Sequence, residues 1–319
     1  MPDSTMIFQD GKIRKYPGYF SLRAVYRERQ LSMVFKPETT PDAEAFYVPS
    51  NIRTLGLGFH MLGVGFTYSF LLPESLQPTD KPFNPGQRDT RLNLYRSRWG
   101  VQLDLQKYIG YYLKSTTLDP EGTQPDSSRA DITTTRSLFG VTYMLKPEEF
   151  SYSAAQSNSK RQTEGGGTFF ARVSGGKFMV KGDSALLSPE PDGSELTRFE
   201  AYSFSVMPGY AHSFVFKKLY VMGSLTLGPE LQRTTSNLSP SVDWDVQARL
   251  QFQFTVGFDN DLFFSNVTYT SQQQRYFGPG LFTDVGVNSI RLLVGRRFKE
   301  FGLLKRIRTS PKIKRLRGG

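Results

Sequence analysis

Apolar and polar residues alternate along one strand-length segment of this chain after another, and no helical period competes with them. Val246, Ala248, Leu250, Phe252, Phe254 and Val256 take every second position, and Gln247, Arg249, Gln251, Gln253 and Thr255 lie between them. In a strand these two sets point to opposite faces, one suited to lipid and the other to a wet lumen. The pattern recurs at Trp99, Val101, Leu103 and Leu105 against Gly100, Gln102, Asp104 and Gln106, and at Val64, Phe66, Tyr68 and Phe70 against Gly65, Thr67 and Ser69. Leu55, Leu57 and Phe59 alternate with Gly56, Gly58 and His60, and Phe139, Val141, Tyr143 and Leu145 with Gly140, Thr142 and Met144. A soluble sandwich or lipocalin-like barrel also alternates, with the apolar face forming a core. Here the apolar sets are rich in large aromatics and the opposite sets carry few charges, whereas solvent-facing strands carry more Lys and Glu. The predicted fold is therefore all-β: a closed antiparallel transmembrane β-barrel in the outer membrane of a Gram-negative bacterium.

Turn residues divide the chain into about 12 to 14 strands. Segments 20–27 and 30–37 read as separate strands, as does 149–157, and the connections at 181–197, 233–243 and 276–284 read as long. The organisation expected is an N-terminal periplasmic segment (1–18), the barrel as a single domain (19–298) and a basic tail (299–319). With this division, the short turns near His60, Ser97 and Lys146 fall out of phase with the later ones, so one segment must leave the simple meander. The candidate is 157–167, which is too polar to face lipid and is expected either to cross the lumen or to form an inward loop.

Composition supports one large β domain. Of 319 residues, 38% are hydrophobic and 14% aromatic, with 26 Phe and 16 Tyr, an excess that interfacial girdles explain. Mean hydropathy is only −0.40, as alternating strands require. The absence of Cys removes thiolate nucleophiles, thiolate metal sites and disulfides. Met1-Pro-Asp-Ser-Thr carries no basic-then-apolar leader, so export implies that a leader has been removed. Net charge is +11, and the end is strongly basic, with Lys299, Lys305, Arg306, Arg308, Lys312, Lys314, Arg315 and Arg317. Such a tail suits anionic lipid headgroups or another outer-membrane or periplasmic protein. It lacks a folded element for reading nucleic acid, and no nucleic-acid partner is expected.

The polar break coincides with a family signature. The run Phe150-Ser-Tyr-Ser-Ala-Ala-Gln-Ser-Asn-Ser-Lys-Arg-Gln-Thr-Glu-Gly-Gly-Gly-Thr-Phe169 resembles that of the domain-of-unknown-function 4421 family, outer-membrane barrels of Bacteroidota. Ser159, Arg161, Gln162, Gly167 and Phe169 match the family pattern, whereas Ser153 replaces an arginine and Gly165 a serine. Further likeness lies in Tyr47-Val-Pro-Ser-Asn51 leading to Gly56 and Gly58, in Tyr108-Ile-Gly110-Tyr-Tyr112, in Gly182-Asp-Ser-Ala-Leu186 and in Gly295-Arg-Arg-Phe298. The resemblance implies a barrel and a location without an activity. Separately, Ile290, Leu292 and Val294 alternate toward Phe298 like the final-strand signal for barrel insertion.

Candidate chemistry is sparse. His60 and His212 are the only imidazoles, and neither has a serine two positions away on the same strand face. The Gly182-Asp-Ser-Ala-Leu run lies at a strand-to-loop junction, and the Gly165-Gly-Gly run lacks the ending that cradles phosphate. No catalytic set, metal site or cofactor is expected, and the chain is read as no enzyme. Candidate lumen or inward-segment residues are Ser159, Arg161, Gln162, Gln247, Arg249, Gln251, Gln253 and Arg291. Three functions compete: a structural or accessory subunit of an envelope complex, which is preferred; a small-solute pore with a mildly anion-attracting lumen; and a membrane-embedded lipid-modifying enzyme using His60, Ser159 or Arg161.

Overall fold

The computed structural model describes residues 7–38, 44–49, 53–61, 64–77, 88–95, 98–116, 127–187, 195–238, 243–278 and 280–302. The strands are β1 (Phe8–Asp10), β2 (Ile13–Lys15), β3 (Tyr19–Pro37), β4 (Ala45–Pro49), β5 (Arg53–Met61), β6 (Val64–Leu71), β7 (Arg88–Tyr95) and β8 (Trp99–Thr116). After β9 (Ser127–Met144) comes one short helix, α1 (Tyr152–Ser157), and then β10 (Lys160–Gln162), β11 (Gly166–Lys181), β12 (Arg198–Phe216), β13 (Leu219–Ser236), β14 (Asp243–Asp259), β15 (Phe263–Gly278) and β16 (Leu281–Lys299).

The wall is antiparallel and closes on itself where β16 pairs with β3 along 19 residues, from Leu281↔Pro37 to Lys299↔Tyr19. It closes differently at its two ends. Near its start β3 pairs with β5 (Ser21↔His60 to Glu28↔Arg53), and further on it pairs with β4 (Met33↔Tyr47 to Phe35↔Ala45). Likewise β8 pairs first with β7 and then with β4. Of the 13 strands in this sheet, the lower ring uses all but β4, making twelve, and the upper ring omits β5, β6 and β7, making ten. The β6–β7 hairpin is thus wedged into the wall from below. Gln77 seals the wedge, donating to the carbonyls of Arg53 and Leu72 at 3.0 Å and accepting from the Arg53 amide at 3.2 Å.

Strand parity holds all the way round. The reading of 20–27 and 30–37 as two strands is overturned, because both lie in β3, and 149–157 is no strand but a turn followed by α1. With those corrections the short turns after β5, β7, β12 and β14 all fall at one end, beside both termini of the wall, which marks it as the periplasmic end. The 276–284 connection read as long is a tight turn, with β15 ending at Gly278, β16 starting at Leu281 and Gly280 at φ +73°.

Apolar side chains change sides along the strands. In the lower part most face outward: Leu22 on β3, Val206, Tyr210 and Phe214 on β12, Phe252, Phe254 and Val256 on β14 and Ile290, Leu292 and Val294 on β16 are all exposed, while Arg23, Arg27 and Arg29 of β3 are buried inside beside a small apolar cluster of Val25, Phe264 and Leu293. In the upper part the apolar residues point inward. Leu31, Met33 and Phe35 of β3, Phe178 and Val180 of β11, Phe199 of β12, Tyr276 of β15 and Val285 and Val287 of β16 form a single core cluster. Phe178 and Tyr276 stack with ring centroids 5.6 Å apart. Nineteen-residue strands at ~3.3 Å per residue and a tilt of about 40° make a wall roughly 48 Å tall, nearly twice a ~25 Å lipid-facing band. The upper part therefore stands clear of the membrane and packs inside like a water-soluble barrel.

Candidate functional site

Between β9 and β11 the chain leaves the wall and enters the lower lumen over 145–165, so the segment singled out from the sequence, 157–167, starts too late and runs two residues too far, Gly166 and Gly167 already belonging to β11. Phe150, Tyr152 and Ala155 explain the entry: they bury against Met144, Phe170, Ala211, Tyr220 and Met222 from the inner wall. Six residues make too short a helix to satisfy its own ends, so the wall supplies partners. Arg291 donates to the Gln156 carbonyl at 2.8 Å, Arg23 to that of Ser157 at 3.2 Å and Arg297 to that of Asn158 at 2.5 Å. Three cations thus sit on the carbonyl end of the helix, where its dipole favours them.

Asn158 fixes the position of the plug. It ends the helix in the left-handed region at φ 50°, a conformation asparagine tolerates. Its side chain donates to Tyr220 at 3.1 Å and Asp259 at 3.2 Å, and accepts from Asn266 at 2.6 Å. Asp259 is held by both nitrogens of the Arg297 fork at 2.7 and 2.6 Å, with the two side chains 4% and 1% exposed. A bidentate pair this deep satisfies the charges that burial would otherwise penalise.

Of the inward-segment candidates, Ser159 hydrogen-bonds Ser157 Oγ at 3.1 Å and its amide donates to the Ser153 carbonyl at 3.2 Å. Gln162 is buried, accepting from the Ser151 amide and donating to the Glu149 carbonyl. Arg161 reaches the periplasmic mouth, donating to Asp261 at 2.9 Å and to the Lys217 carbonyl at 3.1 Å. There β10 pairs with β2, which also pairs with β1, so an N-terminal hairpin completes a three-stranded patch across the opening. Asp261 ties the layers together, also accepting from Arg14 at 3.0 Å and from the Tyr16 hydroxyl. Partial burial pushes its carboxyl upward, but the bonds from Tyr16 and Arg161 and the charges of Arg161 and Arg14 hold it below the usual range. Burial pushes the Tyr16 phenol well up. Burial, with Lys15 directly opposite, lowers the Lys160 ammonium to about 8.

The five predicted wall residues all face inward, with those of β14 on one side of the lumen. Arg249 and Glu230 form a pair at 2.9 Å with both side chains 1% exposed; Gln274 adds donors to both Glu230 oxygens at 3.1 Å. Gln253 accepts from Gln156 of the plug at 3.1 Å, Gln247 donates to Asp245, and Arg291 caps the helix as described. Sequence reading missed Arg23, Arg27, Arg29, Arg136, Arg172 and Arg297, all buried among the lumen side chains. The signal was present: on β3 these arginines stand two or four positions apart, in phase with one another and opposite to Leu22 and Tyr26.

Among the described residues, the two cavities found in the lumen are small. The middle cavity measures about 40 Å³ and the compartment beneath it, lined by Arg23, His60, Thr67 and Ser157 among others, about 20 Å³. Since one water needs roughly 10–15 Å³ on this scale, together they hold a handful. His60 faces this lower compartment, as its alternation with Phe59 implies. His212 lies on the outer wall, bonded through Nδ1 to the Tyr210 hydroxyl at 3.0 Å and packed against the Phe214 ring at 4.5 Å. The Gly182-Asp-Ser-Ala-Leu run is a structural inward loop: Arg129 and Asp131 bind its backbone, and Leu186 and Leu187 insert into the upper core. Among the described residues no three His, Asp or Glu side chains are grouped to hold a metal.

A closed wall with an aromatic-rich apolar exterior and a polar lumen defines an outer-membrane-type β-barrel. Within that class the chain belongs to the family described as Domain of unknown function (DUF4421), which it matches over residues 10–298. No curated protein matches it. Among solved structures it is similar to the outer membrane protease OmpT from Escherichia coli, at 6% identity and a TM-score of 0.41, covering 88% of this chain and 97% of that one. It is also similar to the Pseudomonas putida toluene transporter TodX, at 11% identity and a TM-score of 0.31 over 88% and 90% of the two chains. An outer membrane channel from Pseudomonas putida F1 matches at 8% identity and a TM-score of 0.32, over 88% and 96%. One of these is named a protease, one a transporter and one a channel, and likeness this distant transfers none of those activities.

Proposed function

We propose that this protein is a closed, non-conducting barrel that serves as a structural or accessory subunit of an outer-membrane complex. The observation that carries the reading is obstruction at three levels. The α1 and β10 plug with the β1–β2 hairpin fills the periplasmic mouth, arginine and glutamine side chains fill the middle, and an apolar core with Leu186 and Leu187 fills the top. A porin-like pore needs a continuous aqueous path, which a 40 Å³ cavity does not provide. Partner contact falls to the two ends: the upper end of the wall, above the membrane, and the periplasmic end that leads into the basic tail 299–319. Residues 303–319 lie outside the described residues. The tail engages anionic lipid and an envelope protein.

Planar-bilayer recording of the purified full chain tests closure. The expected result is no steady conductance; sustained openings would overturn the reading. Native gel analysis of solubilised membranes tests the accessory role. The full chain is expected to migrate in an assembly larger than the barrel, and a chain lacking 303–319 as the barrel alone; migration of the full chain as a lone barrel would count against it.

A further inference from the structure

The apolar coat does not end at one height around the wall. On β15 the outward positions include Phe263, Val267 and Tyr269 and then turn polar at Ser271, Gln273 and Arg275. On β9 they are apolar at Tyr143, Val141 and Phe139 and polar at Ser137 and Thr135. On β12, β13 and β14, however, apolar positions continue up to Tyr202, Leu231 and Trp244. A level inside the barrel fixes the comparison. Arg249 bonds Ser174, Ser205 and Glu230, Gln274 bonds Glu230, and Arg136 bonds Gln274, so these residues stand at one height across the lumen. On the outer face at this height β12 presents Phe204 and Val206, β13 Leu231 and β14 Leu250, all exposed. Beside Gln274 and Arg136, by contrast, the outward residues are Gln273, Arg275, Thr135 and Ser137. Arg275 pairs there with Asp284 at 2.6 Å, and an exposed ion pair belongs in water rather than among acyl chains. The step is abrupt: Leu250 of β14 stands in register with Gln273 of β15, so no bilayer surface suits both sides of that seam. The excess, roughly six residues per strand at ~3.3 Å and a tilt of about 40°, lifts the apolar face about 15 Å above the lipid. Tyr202, Phe204, Leu231, Trp244 and Val246 are exposed on it, and large apolar side chains gathered in water mark a contact surface.

We infer that β12–β14 is the face by which two copies of this chain pair side by side in the membrane, with β13 facing β13. Two barrels inserted in the same direction and joined through the same face are related by a two-fold axis along the membrane normal. That operation preserves height, so each copy meets the other's apolar step at its own level above the lipid. A different partner would need a matching step of its own. The face also runs without a break into the lipid-facing belt below, at Phe214 on β12 and Val256 on β14. Pairing therefore displaces lipid in the lower part, which contributes little, and water in the upper part, which supplies the drive. The size suffices. Three strands ~4.8 Å apart and about 15 residues long at ~3.3 Å present roughly 700 Å² per copy, about 1,400 Å² in total, within the range of stable interfaces. The pairing goes beyond the closed-barrel reading and does not depend on it. Detergent covers the same face, so the pairing is read in lipid. The solubilised assembly assigned to the tail is a separate measurement, and either can fail without the other.

The test uses the full-length protein in vesicles of phosphatidylcholine and phosphatidylglycerol. Leu231 lies beside the axis, so Leu231→Cys is expected to give a covalent dimer with a short bis-maleimide, and to keep giving it when lipid is raised roughly tenfold. Ser137→Cys and Gln273→Cys, at the same level on other strands, are expected to remain monomeric. Leu227→Cys, lower on the outer face of β13, repeats the measurement if Leu231→Cys fails to fold. Adding Leu231→Arg to Leu227→Cys is expected to lower the cross-linked fraction at least about tenfold, as loss of a central anchor does. A cross-linked fraction that falls in proportion to added lipid would mean chance collision and overturn the pairing. Monomers throughout would overturn it as well: position 231 shielded from an impermeant maleimide would then assign the face to lipid, and position 231 open to it would leave the face to a different protein. Equal cross-linking at 273 would place the contact on another face and refute the assignment.

Discussion

Strand β3 carries two opposite solutions to the same problem. In its first half Leu22 faces lipid and Arg23, Arg27 and Arg29 face inward; in its second half Leu31, Met33 and Phe35 face inward while Gln30, Ser32 and Lys36 face out. The lower region thus has a wet, charged interior inside an apolar coat, and the upper has a dry interior inside a polar coat. The difference teaches that a transmembrane wall need not end at the membrane. Where the surroundings change from acyl chains to water, the burial rule reverses and the strand continues without a break.

The largest effects should come from emptying either interior. Arg297→Met removes the partner of buried Asp259 and the cap on the Asn158 carbonyl, and should cost about 3–5 kcal/mol in urea unfolding. Phe199→Ala in the dry core should cost a similar ~3–5 kcal/mol, because a cavity remains. Phe254→Ala, the same truncation on the lipid face, should cost only about 1.5–3 kcal/mol, since lipid refills the space. Equal losses at Phe199 and Phe254 would break the distinction between the two regions.

A charge sharpens the comparison next. Phe254→Arg should destabilise by about 2–4 kcal/mol near the bilayer centre. Ser32→Arg, on the outer face of the upper half, should stay within about 0.5 kcal/mol of the parent. Asn158→Ala follows, with roughly 1–3 kcal/mol lost as Tyr220, Asp259 and Asn266 each lose a partner. Proteolysis in the 145–165 connection should rise in step.

A pH dependence confined to the plug comes last. Lys160 falls from 10.5 unfolded to about 8 folded, so the unfolded chain binds more protons between those values and stability should rise as pH increases from about 8 to about 10.5. The rise should be at most about 3 kcal/mol, the full shift at ~1.4 kcal/mol per pKa unit. Lys160→Met should flatten that part of the pH profile; an unchanged slope would mean that Lys160 is hydrated in the folded protein.

Alternation alone revealed the barrel and the inward face of β14, because Val246 to Val256 keeps a single phase. It misled at β3, where the reversal between Tyr26 and Leu31 shifts the apolar positions from even to odd and imitates a turn between two strands. It misled again at 149–157, where Phe150 and Tyr152 sit two apart as in a strand although both bury against the inner wall from a turn and a helix. The polar run after Ala155 was rightly singled out as leaving the wall. Its anchors were not legible, since Arg23, Tyr220, Asp259, Asp261 and Arg297 come from four other strands and one turn that meet only after closure.

The most direct test of the two-region account is single-cysteine labelling along β3, for which the absence of native Cys provides a clean background. Cysteines at 22, 24, 26, 30, 32, 33, 35 and 36 would be exposed, in liposomes, to a membrane-impermeant maleimide from the upper side. The account predicts labelling at 30, 32 and 36 and protection at 22, 24 and 26 by lipid and at 33 and 35 by the dry core. Labelling at 33 and 35 with protection at 32 and 36 would show a water-filled lumen inside a lipid-facing wall throughout, and would contradict it.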